Sequence, residues 1–194
     1  LLTEHQSAGR GRLGRRWLGT LGGSIFLSID TCLAELPRDI AALPLVVGVC
    51  VRRALVAEGV QGALLKWPND LVARADAGLE KLGGILMELR AEAGGPAHVV
   101  IGIGLNLRLP ASLRDEVAGT GMPPTDLARL ALAHHDRNRL AAGIVAECIR
   151  GVGQLCREGL AACHDEWQGA DALAGQPVSV QGSGAGLEHG HPGA

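Results

Sequence analysis

The nine residues from Gly9 to Trp17 read Gly-Arg-Gly-Arg-Leu-Gly-Arg-Arg-Trp, so four arginines and three glycines share one short segment. Glycine permits positive φ angles and lets backbone amides approach a ligand closely. Arginine supplies a permanently charged planar group that fits carboxylate and phosphate oxygens. Because such a segment packs poorly in a core, the sequence predicts a loop that holds an anion.

The chain uses arginine for 16 of its 18 basic residues, and its two lysines are Lys66, in Leu65–Asp70, and Lys81, in Glu80–Gly84. A lysine ammonium is a compact point charge, whereas a guanidinium is a planar fork. Two lysines that persist in motif-like segments of an arginine-rich chain indicate positions where the point charge is needed. Chance retention is the alternative.

Length and composition bound the class of protein. With 194 residues, 47% hydrophobic content, one Phe, three Trp and no Tyr, the chain predicts one sizeable domain with an aliphatic core. Its net charge of −2 argues against a protein that coats nucleic acid. We expect no membrane partner, because no apolar run reaches about 20 residues and no signal peptide opens the chain. Five cysteines without a CxxC pair predict reduced thiols, no metal ligands and a cytoplasmic protein.

Hydrophobic periodicity predicts an order of elements that starts with a strand and ends with helices. Strands are expected at Ser24–Ile29, Ala63–Trp67, Leu71–Ala73, Leu82–Leu89 and Val99–Leu107, and helices at Ile40–Ala57, Asp126–Ala133 and Arg137–His164. This order predicts an α+β fold, a mixed β-sheet with helices packed against it. A doubly wound nucleotide-binding sheet is disfavoured, since no GxGxxG segment follows a first strand and opens a helix.

Smaller features complete the prediction for the second half of the chain. Thr125 is a candidate helix N-cap. The segment His134–Asp136 is expected to be a solvated break between helices, and metal binding there is the less favoured reading. Cys156 and Cys163, seven residues apart, are expected on one buried helix face. The glycine-rich tail Gly182–Ala194 lacks periodicity and is predicted to be disordered.

The polar candidates combine into one chemistry. The candidate residues supply five features: cationic side chains that bind anions, a flat indole, a point charge, two glycines that leave room over a strand, and an amide. These residues are Arg10, Arg12, Arg15, Trp17, Lys66, Gly102, Gly104 and Asn106. The Gly11 and Gly14 amides are expected to form a small anion-binding nest. Cations and backbone donors without a protein nucleophile suit the joining of a carboxylate to the α-phosphate of ATP, where two anions must be held together. Arginine- and glycine-rich segments also bind RNA or stay disordered, so the loop alone leaves those alternatives open.

Four segments in order resemble one family. Glu4–Trp17 resembles the signature loop of the biotin protein ligases (biotin–[acetyl-CoA-carboxylase] ligases), Lys66–Leu71 matches their central motif, and Lys81–Leu86 and Gly102–Asn106 resemble their two following strands. The resemblance runs from about Thr3 to Val180. It implies a biotin/lipoate ligase-like fold, with a catalytic domain at 1–174 and a partial SH3-like domain or disordered tail at 175–194. The catalytic domain is expected to be N-terminally incomplete, because a Ser-Thr segment of the family is not included.

The resemblance also implies a reaction and its partners. Biotin and MgATP would give biotinyl-5′-AMP and pyrophosphate, and the biotinyl group would pass to a lysine of the biotin carboxyl carrier domain of acetyl-CoA carboxylase or another biotin-dependent carboxylase. The cofactors implied are ATP and Mg²⁺. No DNA partner is expected, since no helix-turn-helix precedes the catalytic part. A homodimer is left open, because the family includes monomers and sheet-edge dimers. The alternative is an incomplete, binding-only protein that holds biotin or nucleotide without turnover.

Residue roles are carried over by matching position. Lys66 and Arg12 are implied to be catalytic, and no residue is implied to bind a metal directly. The biotin site is implied to comprise Gln6, Gly9, Arg10, Gly11, Arg12, Lys66, Gly83, Gly102 and Gly104. The ATP site is implied to comprise Arg12, Arg15, Trp17, Asn69 and Asn106.

Overall fold

The computed structural model describes residues 1–91, 96–117, 119, 121–130 and 136–179. Within these residues, six strands lie at Leu2–Thr3 (β1), Ser24–Leu33 (β2), Leu64–Lys66 (β3), Asp70–Ala75 (β4), Gly78–Ala91 (β5) and Ala97–Asn106 (β6). Four α-helices lie at Leu43–Ala57 (α1), Ala111–Val117 (α2), Arg137–Glu158 (α3) and Ala161–Ala170 (α4). Short 3₁₀ turns lie at Arg12–Gly14 and Ile40–Ala42.

The strands form one sheet in the order β1-β2-β6-β5-β4-β3, and every neighbouring pair is antiparallel. Isolated parallel bridges join Leu65 to Asp171 and Lys81 to Pro124. The α+β class and the five predicted strands are therefore confirmed. β5 is longer than predicted because the charged residues at its ends still pair with β4 and β6.

The hydrophobic core lies between the sheet and a layer formed by α1, α3 and α4. Alternate residues of the central strands face this layer and are almost fully buried, among them Ile25 and Leu27 of β2 and Ile101 and Ile103 of β6. Since successive side chains of a strand point to opposite faces, the other residues of these strands form a second, helix-free face.

The central helix is the most apolar segment of the fold. The window Ile40–Ala57 has a mean hydropathy of 2.0, and by length and composition alone it is apolar enough to cross a membrane. Half of the window is buried against the sheet, α3 and α4, so its apolar character is explained by its place in the core. The predicted helix is confirmed, and Gly59, at φ 89°, follows its end as expected.

The predicted helix Arg137–His164 is wrong in one respect, since it is two helices. The chain breaks at Gly159, which has a φ of 72°, and the Leu160 N–H donates to Asp39 Oδ2 at 3.0 Å. A Cβ at residue 159 would lie 2.7 Å from the same oxygen, so a side chain does not fit there. Because of this break, Cys156 and Cys163 do not share a buried face: Cys156 is exposed and Cys163 is buried.

The segment after Pro123 also differs from prediction. Residues 127–130 form a turn, and Asp126 accepts the Arg129 N–H at 3.0 Å. Thr125 does not cap a helix, because it is buried and its N–H donates to the Lys81 carbonyl at 2.8 Å. α2 was not predicted. The positions 131–135, including the predicted break at His134 and His135, and the tail from 180 onward lie outside the described residues, and residues 175–179 form no strand.

Candidate functional site

The arginine- and glycine-rich segment folds as a hairpin closed by its own backbone. The Trp17 N–H donates to the Gly9 carbonyl at 2.9 Å, and the Gly11 N–H donates to Arg15 at 2.7 Å. At the tip, Leu13 adopts a φ of 58°, a left-handed conformation that is uncommon for a side-chain-bearing residue. The Gly11 amide, predicted to help bind an anion, is therefore committed to the hairpin, and the charge available to a ligand is on the arginines.

The four arginines of the hairpin are all exposed. Arg12 Nη1 donates to Asn69 Oδ1 at 3.1 Å, which ties the hairpin to the loop between β3 and β4. The side chains of Arg10, Arg15 and Arg16 form no hydrogen bond or ion pair with the rest of the described chain. The structure thus brings Arg12 and Asn69 together as predicted site neighbours, and it leaves three cations directed to solvent.

Gly9 and Gln6 lie at the base of the hairpin. A Cβ on Gly9 would lie 2.4 Å from the Trp17 carbonyl oxygen and 2.8 Å from Gln6 Oε1. Glycine is therefore required for the hairpin to close on Trp17, whatever else it does. Gln6 is exposed beside this closure.

The helix-free face of the sheet carries a continuous row of paired residues. One register row crosses all six strands through Thr3, Phe26, Gly104, Gly84, Asp70 and Lys66. Directly opposed residues present their side chains on the same face. The row therefore places two glycines at its centre and an acidic and a basic side chain at one end.

Trp17 lies flat on the two glycines of that row. A Cβ on Gly104 would lie 2.7 Å from Trp17 Cε2, and a Cβ on Gly84 would lie 3.0 Å from Trp17 Cζ3. Trp17 Nε1 is buried and has no hydrogen-bond partner among the described residues. Gly102 and Gly104 were expected to leave room over their strand, and at Gly104 the Trp17 indole fills that room. We call Gly84 and Gly104 the glycine platform.

Both lysines of the chain lie beside one carboxylate. Lys81 Nζ is 2.7 Å from Asp70 Oδ1 and 5.3 Å from the centroid of the Trp17 ring. Lys66 is the register partner of Asp70 on β3, is half-buried, and forms no ion pair or hydrogen bond through its side chain with the described residues. Asp70 is thus paired with the Lys81 ammonium and is the strand neighbour of Lys66 at the end of the row.

Asn69 and Asn106 hold the surrounding loops. Asn69 Nδ2 donates to the Ile85 carbonyl at 2.7 Å, so its oxygen is presented to Arg12. Asn106, only 4% exposed, donates to the Thr125 carbonyl at 3.0 Å. In this arrangement Asn106 positions the chain that follows Pro123, and its predicted contact with the nucleotide stays a prediction.

Two other predicted glycines occupy different surroundings. Gly102 lies in the helix-free face two residues from Gly104, and a Cβ there would lie 3.4 Å from the Leu86 carbonyl oxygen. Gly83 pairs with Leu105 and Leu71, which are core residues, so it faces the helices. A Cβ on Gly83 would lie 2.7 Å from the Gly104 carbonyl oxygen, which explains a glycine at this position by packing.

Sequence reasoning does not place Asp70 or Gly84 in the site. It marks Lys81 as a position that needs a point charge, because lysine is scarce in this chain, but it does not include Lys81 among the site residues. Asp70 and Gly84 could be assigned only once the strand register was known, because a one-residue shift would turn them to the core.

A family model agrees with this arrangement. The model that describes the biotin/lipoate A/B protein ligases matches residues 1–106, which include the hairpin, both lysines and the glycine platform. The chain belongs to the biotin/lipoate A/B protein ligase family. The match ends at Asn106, the last residue of β6.

Individual members of the family are similar in sequence to this chain beyond residue 106 as well. The chain is 34% identical to the bifunctional ligase/repressor BirA of Escherichia coli over 179 residues, which cover 92% of this chain and 53% of that protein. It is 38% identical to the biotin–[acetyl-CoA-carboxylase] ligase of Mycobacterium tuberculosis over 151 residues, which cover 76% of this chain and 51% of that protein. The chain therefore spans about half the length of these curated relatives.

Solved structures of the family share the fold. A mutant biotin protein ligase from Aquifex aeolicus in complex with biotin superposes with a TM-score of 0.74 at 24% identity, covering 94% of this chain and 72% of that one. The Aquifex aeolicus ligase in complex with biotin and ATP gives a TM-score of 0.69 at 24% identity, covering 88% of this chain and 67% of that one. The predicted biotin/lipoate ligase-like fold is confirmed.

Proposed function

We propose that this chain contains the catalytic site of a ligase that activates biotin with MgATP to biotinyl-5′-AMP and transfers biotin to a lysine of a biotin carboxyl carrier domain. The observation that carries the proposal is that Trp17, at the end of the arginine hairpin, lies on the glycine platform with the Lys81 ammonium beside its ring. It is supported by relatives named as biotin–[acetyl-CoA-carboxylase] ligase and as bifunctional ligase/repressor.

The first half-reaction brings together two anions. A biotin carboxylate oxygen forms a bond to the α-phosphorus of ATP, and the bond from that phosphorus to pyrophosphate breaks. Positioned cations lower the barrier because they offset the repulsion of the reactants and the charge of the transition state. Arg10, Arg12 and Arg15 supply charge from the hairpin, and Lys66 and Lys81 supply it from the sheet.

Lys81 is the stronger candidate of the two lysines for contact with the reacting oxygens. Its ammonium lies beside the Trp17 ring at the edge of the platform, and Asp70 holds it there. Lys66 lies two strands further out, on the edge strand β3. We retain Lys66 as a second cation, since its ammonium has no partner within the described residues and is free to meet an anionic substrate.

The hairpin suits a closing element. Its three glycines permit a change of backbone conformation, and the hydrogen bond from Arg12 to Asn69 ties it to the sheet edge. Closure over a bound adenylate would exclude water, which otherwise hydrolyses a mixed anhydride. Trp17, at the end of the hairpin, would offer a flat apolar surface to the adenine or to biotin.

In the second half-reaction, the amine of the carrier lysine forms a bond to the acyl carbon and AMP leaves. The proposed partners are biotin, MgATP and a carrier domain of acetyl-CoA carboxylase or another biotin-dependent carboxylase, and the proposed location is the cytoplasm. Mg²⁺ enters as part of the MgATP substrate. Among the described residues no group of three or more His, Cys, Asp or Glu side chains is placed to hold a metal ion.

Titration calorimetry and pyrophosphate release test the proposal together. Biotin is titrated into the full chain, and MgATP is then added to the biotin-saturated protein. We expect heat on biotin addition and pyrophosphate release on ATP addition, followed by biotinylation when a carrier domain is supplied. Binding of biotin without pyrophosphate release would favour the binding-only alternative, and binding of neither ligand by the folded chain would overturn the proposal for this chain.

The salt dependence of binding distinguishes the proposed ligase from the nucleic-acid-binding alternative. Binding through counterion release weakens steeply as salt increases, because each neutralised phosphate releases bound cations. A biotinyl-adenylate site makes few phosphate contacts and is expected to respond weakly. Single-stranded RNA binding by the hairpin, with a steep salt slope and no response to biotin, would count against the ligase proposal.

A further inference from the structure

An exposed cysteine and an exposed histidine are in contact on the helix-free face, at the end far from the glycine platform. Cys32 of β2 and His98 of β6 are register partners, and Cys32 Sγ lies 3.9 Å from His98 Nε2. Cys32 is six residues after Phe26, which belongs to the platform row. That separation is about 20 Å along an extended strand, so the pair does not touch the reactants of the proposed ligase.

The core fixes the pairing of these two residues. On either side of His98, Ala97 and Val99 are fully buried, and Leu33, which follows Cys32, is 8% exposed. Because successive side chains of a strand point to opposite faces, these core residues hold Cys32 and His98 on the helix-free face. A one-residue shift would bury both polar side chains and expose the apolar ones. The contact between sulfur and imidazole is therefore built into the sheet.

The sulfur of Cys32 is open to solvent. Both Cys32 and His98 are exposed. The edge strand β1 pairs with β2 at Phe26 and Leu27, and within the described residues no strand pairs with β2 on its outer side at Cys32. A small molecule in solution thus reaches the sulfur without any rearrangement of the fold.

The charged groups around the pair act in opposite directions on a thiolate. Arg90 of β5 is the register partner of His98 on its other side, so a cation ends the row that begins at Cys32. Asp30 of β2 and Glu88 of β5 lie on the same face in the next row toward the platform. Their carboxylates oppose the effect of the Arg90 guanidinium. The contact with His98 is therefore the feature that sets this thiol apart.

A thiol in contact with an imidazole has the arrangement of an activated nucleophile and its base. In the tautomer that carries its proton on Nδ1, His98 accepts the thiol proton at Nε2, and the thiolate that results is the reactive form of cysteine. Cys156 of α3 is the other exposed cysteine, and it forms no hydrogen bond with another described residue through its side chain. The chain thus contains one exposed thiol with a base beside it and one without.

We propose that Cys32 is a modification site at which low-molecular-weight disulfides form a mixed disulfide, with His98 as the base. His98 Nε2 takes the proton of the Cys32 thiol, and the thiolate attacks one sulfur of the disulfide. A new bond forms between that sulfur and Cys32 Sγ, and the original S–S bond breaks. The departing thiolate takes the proton from His98 and leaves as a thiol. One disulfide is consumed and one is formed, so no further oxidant is required.

The test compares Cys32 and Cys156 within the same folded chain. The full chain is incubated with oxidised glutathione, samples are quenched with acid, and the modification of each cysteine is followed over time by mass spectrometry of its peptide. We expect Cys32 to react faster than Cys156 by on the order of tenfold or more, because a positioned base assists the proton transfer. The buried Cys50, Cys148 and Cys163 are expected to stay unmodified, which reports that the chain is folded.

His98→Gln tests the base, since glutamine keeps a polar side chain but does not accept the proton. The rate at Cys32 is expected to fall by about tenfold, and the rate at Cys156 should not change. Bis(2-hydroxyethyl) disulfide, which is uncharged, should show the same dependence on His98. This reagent is the control for a histidine that merely binds the carboxylates of glutathione.

Three results would overturn the proposal. One is a rate at Cys32 equal to or below that at Cys156 in the parent protein, a comparison that requires no variant to fold. A second is an unchanged rate at Cys32 in His98→Gln, and a third is a dependence on His98 with oxidised glutathione but not with the uncharged disulfide. All three are independent of ligase activity, which is measured separately by pyrophosphate release.

Discussion

Lys81 Nζ lies 2.7 Å from Asp70 Oδ1, and this ion pair joins β5 to β4 at the edge of the glycine platform. Asp70 follows Pro68 and Asn69 at the start of β4, so the motif that contains Lys66 also supplies the carboxylate that orients Lys81. The two lysine-containing segments of the chain therefore act as one unit. A lysine ammonium has three N–H donors, so an ion pair with one carboxylate leaves donors of Lys81 free to bind a substrate anion.

Replacement of either lysine by arginine tests how this unit is used. Lys81→Arg is expected to lower adenylate formation by on the order of 100-fold, because a planar fork does not reproduce a point charge beside Trp17. Lys66→Arg is also expected to lower it strongly. Pyrophosphate release with saturating biotin and MgATP is the measurement, and Arg90→Lys, an exposed change at the far end of β5, is the control. Unchanged turnover in Lys66→Arg would remove Lys66 from the mechanism and leave Lys81 as the principal cation.

The glycine platform gives a second prediction with a control in the same strand. Gly104→Ala would put a Cβ 2.7 Å from Trp17 Cε2, so the indole must move, whereas Gly102→Ala meets Leu86 at 3.4 Å or more, which is ordinary contact distance. We expect Gly104→Ala to change the Trp17 fluorescence and to weaken biotin binding at least tenfold, a loss of about 1.4 kcal/mol. Gly102→Ala should leave the fluorescence unchanged. Equal effects of the two substitutions on fluorescence would show that Trp17 does not rest on Gly104 in solution.

Sequence patterns predicted the elements of the fold better than their relationships. Alternation of apolar residues predicted β2 and β6, because these strands have one face in the core. The break at Gly159 is not predicted because helical spacing continues through it, and the hydrogen bond from Leu160 to Asp39 at this break joins segments that are distant in sequence. Within the site, the residue types of the hairpin predicted anion binding, but the ion pair between Asp70 and Lys81 depends on strand register across a bulge. Strand register depends on pairing between segments that are distant in sequence, so neither lysine-containing motif predicts it alone.

Two glycines of α3 lie near α1, and their replacement by alanine is expected to change the free energy of unfolding in opposite directions. Gly151→Ala would place a Cβ 2.3 Å from Cys50 Sγ and 3.2 Å from Val46 Cγ1, so the helices must separate. We expect a loss of about 2 kcal/mol in the free energy of unfolding. Gly143→Ala, in the same helix, meets the nearest atom, Ala54 Cβ, at 3.7 Å and should add up to about 1 kcal/mol through helix propensity. Urea denaturation of both variants measures the difference, and destabilisation by both would mean that the backbone of α3 does not tolerate change at either position.

Among the described residues, Asp126 is the one carboxylate that is fully buried. Its substitution tests how the chain after β6 is anchored. Its Oδ2 accepts from Arg114 Nη2 at 2.6 Å and from the Leu109 N–H at 2.9 Å, and Oδ1 accepts from the Arg129 N–H at 3.0 Å. Asp126→Asn keeps the shape but removes the charge and replaces one acceptor by a donor. Because Arg114 is about 30% exposed and regains some hydration, we expect a loss of about 2 kcal/mol in the free energy of unfolding, below the range for a fully buried pair. Asp165→Asn, at an exposed position of α4, should change it by less than about 0.5 kcal/mol. Urea denaturation distinguishes the two, and an unchanged midpoint for Asp126→Asn would assign the anchoring to the backbone bond from Leu127 to Asn106 instead.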